Sequence, residues 1–323
     1  MEGFNMKLRI STPSRLHFGI IDMRGDLGRI HGSIGVSIKK PRLVLDIKES
    51  KTTTIKGART NRAQEIIETL GEAYDIRTGV EITIHEDIPE HSGFGSGTQL
   101  SYALGMGVNK LFNLGLTVEN IAVRLERSRI SGIGAYGFQK GGFIVDGGHD
   151  VRDRDKVPPL IYHQDFPEDW KFVICLPKIH KGFSGEQEQK AFKKLEPPPA
   201  ETVTSVSHIV LLQMIPSIIE KDIEVFGESM TSLDTMFGDY WKKIQGGTYT
   251  HPRIGECVNH LLECGAYGAG QSSWGPALYG LADGAKHARV LEEEMNRFIN
   301  LGGEGYVFVT SADNTGAVIE EEI

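Results

Sequence analysis

The sequence PEHSGFGSGT at residues 89–98 is the most informative stretch of the chain. It follows a predicted strand in which Val80, Ile82 and Ile84 alternate with polar residues, and it precedes a predicted helix whose apolar stripe starts at Leu100. Glycines at a strand–helix junction let backbone N–H groups converge on an anion, and the helix N-terminus adds donors that have no partner within the helix. The stretch therefore predicts a phosphate-binding loop.

Small residues fill the positions where an anion approaches this loop, and two of them carry hydroxyl groups. Ser96 and Thr98 can donate to a phosphate or ligate a Mg²⁺ ion that the phosphates hold. The spacing lacks the G-K-[ST] of a P-loop and differs from the Rossmann fingerprint. A glycine-rich turn that binds nothing is the alternative interpretation. The candidate phosphate-binding positions of the loop are Gly93, Gly95, Ser96, Gly97 and Thr98.

The length of 323 residues exceeds that of one ordinary core and predicts two domains, which we place at residues 1–160 and 161–323. A charged, proline-ended stretch at residues 150–159 is either a linker or a long surface loop. Strands and helices are mixed without strict βαβ alternation. This order predicts an α+β fold with largely antiparallel sheets that are covered by helices on one face.

Composition argues against several classes of partner. The net charge is −8 without a basic stripe, so we expect no nucleic-acid binding. No run of about 18 apolar residues is evident, and the N-terminus lacks the pattern of a secretion signal. We therefore expect a cytoplasmic protein with no membrane partner. The three cysteines, Cys175, Cys257 and Cys264, are too few for a disulfide framework and are expected to be buried thiols.

Local patterns predict individual elements. Apolar alternation predicts separate strands over residues 32–38 and 43–48, and a last strand over residues 306–310. A helical region is expected over about residues 201–237, with an interruption at Pro216.

Three glycine-containing motifs occur in an order that resembles the GHMP kinases. Residues 89–97 resemble the second motif of that group, P-x-x-x-G-L-G-S-S. The sequence TPSRLHFG at residues 12–19 is similar to the first motif, and GAYGAGQSS at residues 265–273 is similar to the third. The resemblance implies a GHMP-kinase-like two-domain fold, with a ribosomal-protein-S5-like N-terminal domain and a ferredoxin-like C-terminal domain.

A narrower resemblance involves residues 14–38 and 268–281, which are similar to the β-ribofuranosylaminobenzene 5'-phosphate synthases. Members of that family join 5-phosphoribosyl 1-pyrophosphate (PRPP) to a para-substituted benzoate, release pyrophosphate and CO₂, and serve the synthesis of methanopterin-type cofactors. The resemblance implies a decarboxylating pentosyltransferase with Mg²⁺ as cofactor and 4-aminobenzoate or 4-hydroxybenzoate as acceptor. Homodimers are common in this fold, so a homodimer is expected.

An ATP-dependent GHMP small-molecule kinase is the alternative. Many such kinases carry a catalytic aspartate in the stretch that corresponds to residues 132–139, which contains no carboxylate here. Gly97 also replaces the second serine of the motif. Both departures favour the synthase. A non-catalytic protein that binds phosphorylated metabolites is a third possibility.

The resemblance assigns roles to the glycine-rich segments. The loop at residues 93–98 is the expected cradle for pyrophosphate. The C-terminal turn completes this cradle or holds the 5-phosphate. Ser96 is the first choice for a Mg²⁺ ligand, with Thr98 and Asp22 as alternatives. The candidate positions in the turn are Gly268, Gly270, Gln271, Ser272 and Ser273.

Three residues near the first motif are catalytic candidates. Arg15 has the fork geometry for a carboxylate or a phosphate, and a surface ion pair is the alternative. His17, two residues on and on the same side of a strand, can move a proton or bind phosphate unless it is a core histidine. Asp22 can bind Mg²⁺ or ribose hydroxyls, or it can belong to a solvated hairpin.

Two further features are open to more than one interpretation. Trp274 is either a stacking partner for the aromatic acceptor or a core residue. Residues 178–185, basic and then glycine-rich, form either a mobile phosphate-binding lid or an exposed loop.

Overall fold

The computed structural model describes residues 6–179 and 196–322, so most of the segment at 178–185 lies outside the described residues. Within the described ranges the chain forms an eight-stranded sheet and a four-stranded sheet, both packed against helices. The strands of the eight-stranded sheet are β1 (Lys7–Asp22), β2 (Arg29–Ser50), β3 (Thr54–Lys56), β4 (Gly79–Glu86), β5 (Phe143–Asp146), β6 (His149–Asp150), β7 (Leu160–Gln164) and β12 (Val318–Glu322).

A long antiparallel hairpin of β1 and β2 forms the centre of this sheet. The first part of β2 pairs with β5, and its second part pairs with β4. The strands predicted at residues 32–38 and 43–48 are therefore one strand. Pro41 lies in a bulge, where the β2 partner of β1 changes from Ile38 to Arg42, so the missing N–H of the proline falls outside the regular ladder.

The strand β12 returns to the beginning of the chain and pairs antiparallel with β1. The sequence does not predict this strand, because residues 320–322 are all acidic and hide the alternation. On the sheet edge these charges have partners. Glu322 forms ion pairs with Lys7 Nζ at 2.5 Å and with Arg9 Nη1 at 3.1 Å.

Four helices lie between β3 and β5 in the chain. They are α1 (Thr60–Tyr74), α2 (Ser96–Leu111), α3 (Val118–Arg124) and α4 (Ile133–Lys140). Both α2 and α4 pack against β1 and β2, and α1 packs against α2. A β-carbon at Gly107 of α2 would stand 3.0 Å from side-chain carbons of Ile10 and Ile47, so the glycine brings the helix close to the sheet.

The second sheet has the strand order β11-β8-β10-β9, and every neighbouring pair is antiparallel. Its elements are β8 (Trp170–Pro177), α8 (Pro252–Glu263), β9 (Gly268–Gln271), β10 (Leu278–Asp283), α9 (Gly284–Leu301) and β11 (Gly305–Ser311). This βαββαβ order is the predicted ferredoxin-like arrangement. Cys175 and Cys257 are buried free thiols in the core between this sheet and its helices, and Cys264 is partly buried.

A further layer of helices lies between β8 and α8 in the chain. It comprises α5 (Ala200–Ile209), a π-helical turn (Val210–Met214), α6 (Ile215–Glu220) and α7 (Ile223–Gln245). The chain stays helical at Pro216, because a π-helical turn precedes it and the proline then falls in the first turn of α6, where its missing N–H leaves no α-helical hydrogen bond unmade. The break comes at Lys221, which is left-handed, and Asp222 then caps α7 by accepting the Val225 N–H at 3.1 Å.

The helical segment Ala200–Glu220 is more apolar than the sequence analysis allowed. With a mean hydropathy of 1.6 it is long and apolar enough to cross a membrane by length and composition alone, and 28% of its apolar 18-residue window is buried inside the protein. Its buried residues Val206, Val210, Met214 and Ile218 pack into the main core. One such helix, partly packed in a core, is weak support for a membrane span.

The predicted division of the chain at residue 160 stays a prediction. The stretch at 150–159 connects β6 and β7, and β7 pairs with β5 in the eight-stranded sheet. This connection is therefore a loop between strands of one sheet. Since β12 also belongs to that sheet, both ends of the described chain contribute to it.

Candidate active site

The loop that precedes α2 has, at two positions, a left-handed backbone that favours glycine. Gly93 and Gly95 have φ values of 89° and 77°. A β-carbon at Gly93 would overlap the carbonyl oxygen of Ser272, and one at Gly95 would lie 3.3 Å from Arg15 Cγ. The glycine at 93 is therefore required both by its dihedral angle and by the approach of the C-terminal turn.

The three motifs meet at the carbonyl group of Gly93. This oxygen accepts hydrogen bonds from Ser272 Oγ at 2.7 Å and from the Arg15 guanidinium. The Arg15 N–H donates to the carbonyl of Phe94 at 3.1 Å. Ser272 Oγ also accepts the His17 N–H at 3.1 Å. Segments that are far apart in the sequence thus fix one another around the loop.

The first turn of α2 faces this loop without a side-chain cap. The helix begins at Ser96, and its N-cap Gly95 supplies no side chain. A β-carbon at Gly97 would find only Arg127 Nη1, at 3.8 Å, so the space beside it is open. Uncapped N–H groups next to open space are suited to an anion.

A cavity of about 510 Å³ lies over the loop and the start of α2. Four arginines and one carboxylate, Glu90, face it, which makes it cationic although the chain has a net charge of −8. The lining residues are Arg15, Arg59, Arg62, Glu90, His91, Ser92, Gly93, Gly95, Ser96, Gly97, Thr98, Arg127, Ser273, Trp274 and Gly275.

Sequence reasoning missed three of these arginines. Arg59, Arg62 and Arg127 come from the start of α1 and from the segment after α3. None of them belongs to a basic run or to a recognisable motif, so only the packing of α1 and α3 beside α2 reveals them.

The predicted residues of the C-terminal turn fall into two groups. Ser273 lines the cavity and Ser272 supports the loop, whereas Gly268 and Gly270 lie in β9, outside the cavity lining. A β-carbon at Gly268 would overlap the carbonyl of Gly227 in α7. These two glycines therefore allow β9 to pack closely against that helix.

Gln271 holds the turn together. Its Nε2 donates to Thr250 Oγ1 at 2.6 Å and to the Gly275 carbonyl at 2.7 Å. Its backbone N–H donates to Asp234 Oδ1 at 2.9 Å. The side-chain amide is thus engaged within the protein, and Gln271 does not line the cavity.

His17 is buried beneath the loop. Burial, and then the charge of Arg15, lowers its pKa to about 3, so the imidazole is neutral at physiological pH. Its Nδ1 has no hydrogen-bond partner among the described residues. A neutral ring can donate or accept one hydrogen bond here, but it carries no positive charge for a phosphate.

Asp22 is the last residue of β1, where the turn to β2 begins. Its Oδ1 accepts the N–H groups of Arg24 at 2.6 Å and Gly25 at 3.0 Å, which is the pattern of an Asx turn. The residue is not part of the cavity lining. Arg24 in turn pairs with Asp26 at 2.5 Å.

The protein offers only a few oxygen ligands for a Mg²⁺ ion at the described part of the cavity. Within residues 6–179 and 196–322 no group of three His, Cys, Asp or Glu side chains is arranged to hold a metal. The hydroxyls of Ser96 and Thr98 and the carboxylate of Glu90 line the cavity. This donor set fits Mg²⁺, which keeps several waters and is bound through substrate phosphates and one or two protein oxygens.

The segment where kinases carry their aspartate forms α4 and has no carboxylate. The nearby Asp146 is buried and serves the backbone, because it accepts the N–H groups of Gly132 at 2.8 Å and Gly148 at 2.9 Å. Burial raises its pKa to about 6.

An aromatic cluster borders the cavity. Trp274 lines the cavity, is largely buried and packs edge-on against Trp241, with the ring centroids 4.6 Å apart. Met23, Phe237 and Tyr240 contact this pair and also line an apolar recess between the β1–β2 hairpin and α7. The cationic cavity and the apolar recess are thus neighbours across the two tryptophans.

The fold and the loop define a protein of the GHMP kinase class. Residues 61–139 match the GHMP kinases N terminal domain and residues 214–301 match the GHMP kinases C terminal domain. A putative homoserine kinase from Listeria monocytogenes superimposes with a TM-score of 0.67 at 20% identity, over 98% of this chain and 100% of that one. The predicted GHMP-kinase-like α+β fold is confirmed.

Relatives with higher sequence identity assign the chain to one family within this class. The β-ribofuranosylphenol 5'-phosphate synthase of Archaeoglobus fulgidus is 36% identical over 97% of this chain and 99% of its own length. The enzyme of the same name from Methanothermobacter thermautotrophicus is 35% identical over 97% and 98%. The chain belongs to the β-ribofuranosylphenol 5'-phosphate synthase family, and the resemblance that the sequence motifs indicated is confirmed.

Proposed function

We propose that the chain is a synthase that joins PRPP to a para-substituted benzoate and releases pyrophosphate and CO₂. The cationic cavity supports this proposal most directly. A sugar with a diphosphate and a phosphate is strongly anionic, and four arginines converge with an uncapped helix N-terminus on a space of about 510 Å³. The absence of a carboxylate from α4 argues against a kinase that needs an aspartate as base there.

The proposed reaction exchanges one bond at the sugar for another. The bond between ribose C1 and the diphosphate oxygen breaks, and the electron pair leaves with pyrophosphate. The ring carbon that bears the carboxylate bonds to C1. The bond from that carbon to the carboxylate then breaks, its electron pair restores the aromatic ring, and CO₂ departs. No oxidant, reductant or nucleotide is consumed.

The loop and α2 are proposed to hold the diphosphate. The N–H groups at the start of α2 and the Arg15 guanidinium stabilise negative charge as it develops on the leaving group. Ser96 and Glu90 would hold a Mg²⁺ ion, which would further neutralise the charge of the leaving group. The backbone N–H of His17 donates to Ser272 Oγ and so positions the C-terminal turn, while the buried imidazole stays neutral.

The aromatic cluster supports an aromatic acceptor. Arg15 and Trp274 both line the cationic cavity, so a benzoate there would have its carboxylate toward Arg15 and its ring against the indole of Trp274. Apolar surroundings exclude water, which would otherwise attack C1 and hydrolyse PRPP. They also favour loss of the charged carboxylate as neutral CO₂.

Of the two acceptors, we propose 4-hydroxybenzoate. The named product of the curated relatives is a ribofuranosylphenol, and decarboxylative coupling of 4-hydroxybenzoate leaves a phenol. The test is to incubate the purified chain with PRPP, Mg²⁺ and each benzoate, and to identify products by mass spectrometry. We expect a ribosylated phenol phosphate and less or no product from 4-aminobenzoate. Phosphorylation of a small alcohol by ATP, without coupling of either benzoate, would overturn the proposal.

A further inference from the structure

Arg127 is held beside the phosphate loop by the way α3 ends. The Arg127 N–H donates to the Ala122 carbonyl at 2.7 Å and the Glu126 N–H donates to the Val123 carbonyl at 3.3 Å, which is the bonding pattern of a Schellman motif. Such a motif normally has glycine at its left-handed position, but Glu126 occupies it with φ of 54°, and Ser128 follows with φ of 60°. Two non-glycine residues in this unfavourable region flank Arg127.

The side chain of Arg127 points to the first turns of α2. Its Nε donates to Ser101 Oγ at 3.0 Å, and Ser101 Oγ donates to the Gly97 carbonyl at 2.9 Å. Its Nη1 is the nearest atom to the open space beside Gly97. The guanidinium is thus placed by neutral groups, with its terminal nitrogens toward the cavity.

The arginines of the cavity differ in whether a neighbouring carboxylate neutralises their charge. Arg59 forms a buried bidentate pair with Asp87, and Arg62 bonds one oxygen of Glu65 at 2.6 Å. Among the residues that the structure describes, no carboxylate lies within ion-pair distance of Arg127. Burial lowers its pKa, and the neighbouring charge of Arg62 lowers it further. Two cations therefore face the same space, and at least one of them lacks an anionic partner.

We propose that Arg127 and Arg62 form a second anion subsite of the cavity, which binds the outer phosphate of a diphosphate group. Arg15 contacts the loop at Gly93 and Gly95, whereas Arg127 borders Gly97, so the two cations bracket the start of α2. A single phosphate occupies the helix N-terminus, and a diphosphate extends from it to the arginine pair. This assignment rests on the proposed function for the identity of the substrate, but the subsite itself is defined by pyrophosphate binding.

The experiment is calorimetric titration of the whole chain with inorganic pyrophosphate and, separately, with inorganic phosphate. We expect Arg127→Gln and Arg62→Gln each to weaken pyrophosphate binding about tenfold or more, because each removes a charge-assisted contact. Phosphate binding, which needs only the loop, should change less than about threefold. Arg129→Gln is the matched control, since Arg129 lies two residues on, pairs with Glu126 at 3.0 Å and does not line the cavity.

Thermal unfolding of each variant shows whether it folds, and Arg62→Gln keeps the test valid if Arg127→Gln does not, because Arg62 is about half exposed (46%). Pyrophosphate binding by both variants within about twofold of the wild type would overturn the subsite, as would a wild type that does not bind pyrophosphate. Failure of the proposed function has a different signature. Pyrophosphate binding would depend on both arginines, while PRPP and benzoate would give no product.

Discussion

Single residues determine whether the loop before α2 can adopt its backbone conformation. At Gly93 the left-handed backbone and the contact with Ser272 both exclude a side chain, whereas Gly97 sits in regular helix beside open space. The two glycines are four residues apart and look alike in the sequence, so only their surroundings distinguish them.

We predict opposite effects for alanine at these two positions. Gly93→Ala should lower the free energy of unfolding by more than about 1 kcal/mol, because the loop or the C-terminal turn must shift. Gly97→Ala should raise it by roughly 0.5–1 kcal/mol through better helix propensity. Urea denaturation measures both. Equal stabilities for the two variants would contradict the described contacts.

Asp234, like His17 and Asp146, has a pKa that burial shifts from its ordinary value. It is buried under the C-terminal turn, and burial raises its pKa to about 7. The folded state therefore favours the protonated carboxyl. The stability that this group contributes is complete below about pH 4, and it is lost as the pH rises through 7.

We predict that Asp234→Asn flattens this pH dependence. Asparagine keeps an oxygen for the Gln271 N–H but cannot ionise. Between pH 5 and pH 8 the stability of the variant relative to the wild type should rise by about 2 kcal/mol. Denaturation curves at the two pH values measure the change, and other titrating groups cancel in the comparison. An unchanged difference between the two proteins would show that Asp234 keeps an ordinary pKa.

The C-terminal turn acts as an element, because β9, Gln271 and Ser272 fix it against both the sheet and the loop. We predict that Gln271→Ala lowers stability by about 1–3 kcal/mol, since Thr250 and Gly275 lose their partner in a buried setting. It should also weaken pyrophosphate binding through displacement of Ser272. Gln139→Ala is the control, because Gln139 is exposed on α4 and its side-chain amide donates to Glu119 on the surface. If the Gln271→Ala variant were destabilised but still bound pyrophosphate as tightly as the wild type, the C-terminal turn would not contribute to pyrophosphate binding.

Elements were predictable from the sequence where local pattern and packing agree. The strand before the loop and the helix after it follow from alternation and from an apolar stripe, and both are present as β4 and α2. The pattern fails where tertiary contacts decide. A bulge carries β2 past Pro41, a π-helical turn carries the helix to Glu220, and ion pairs with β1 make a strand of the acidic β12.

The residues of the candidate site were likewise predictable only where a local motif marks them. Motif residues such as Arg15, Gly93 and Ser96 line the cavity, and their roles there stay a prediction. Arg62 and Arg127 carry no local signal, because α1 and the end of α3 bring them to α2 only in the folded chain. Conversely, Gly268 and Gly270 look like loop glycines in the sequence but serve the packing of β9 against α7.

At the scale of the whole molecule, an acidic chain encloses a cationic cavity next to an apolar recess. The net charge of −8 alone gives no indication of an anionic substrate, whereas the distribution of charge does. The expected homodimer stays a prediction. We propose that this cavity couples PRPP to a benzoate without a nucleotide.

The most direct test measures pyrophosphate and labelled CO₂ released from PRPP and carboxyl-labelled 4-hydroxybenzoate, with Mg²⁺ and without ATP. We predict release of the two products in equal amounts, with loss of both in Arg15→Ala. Pyrophosphate release without CO₂ would indicate hydrolysis of PRPP and not coupling. No release of either product, with ATP consumed in the presence of a small alcohol, would contradict the proposed coupling and identify a kinase.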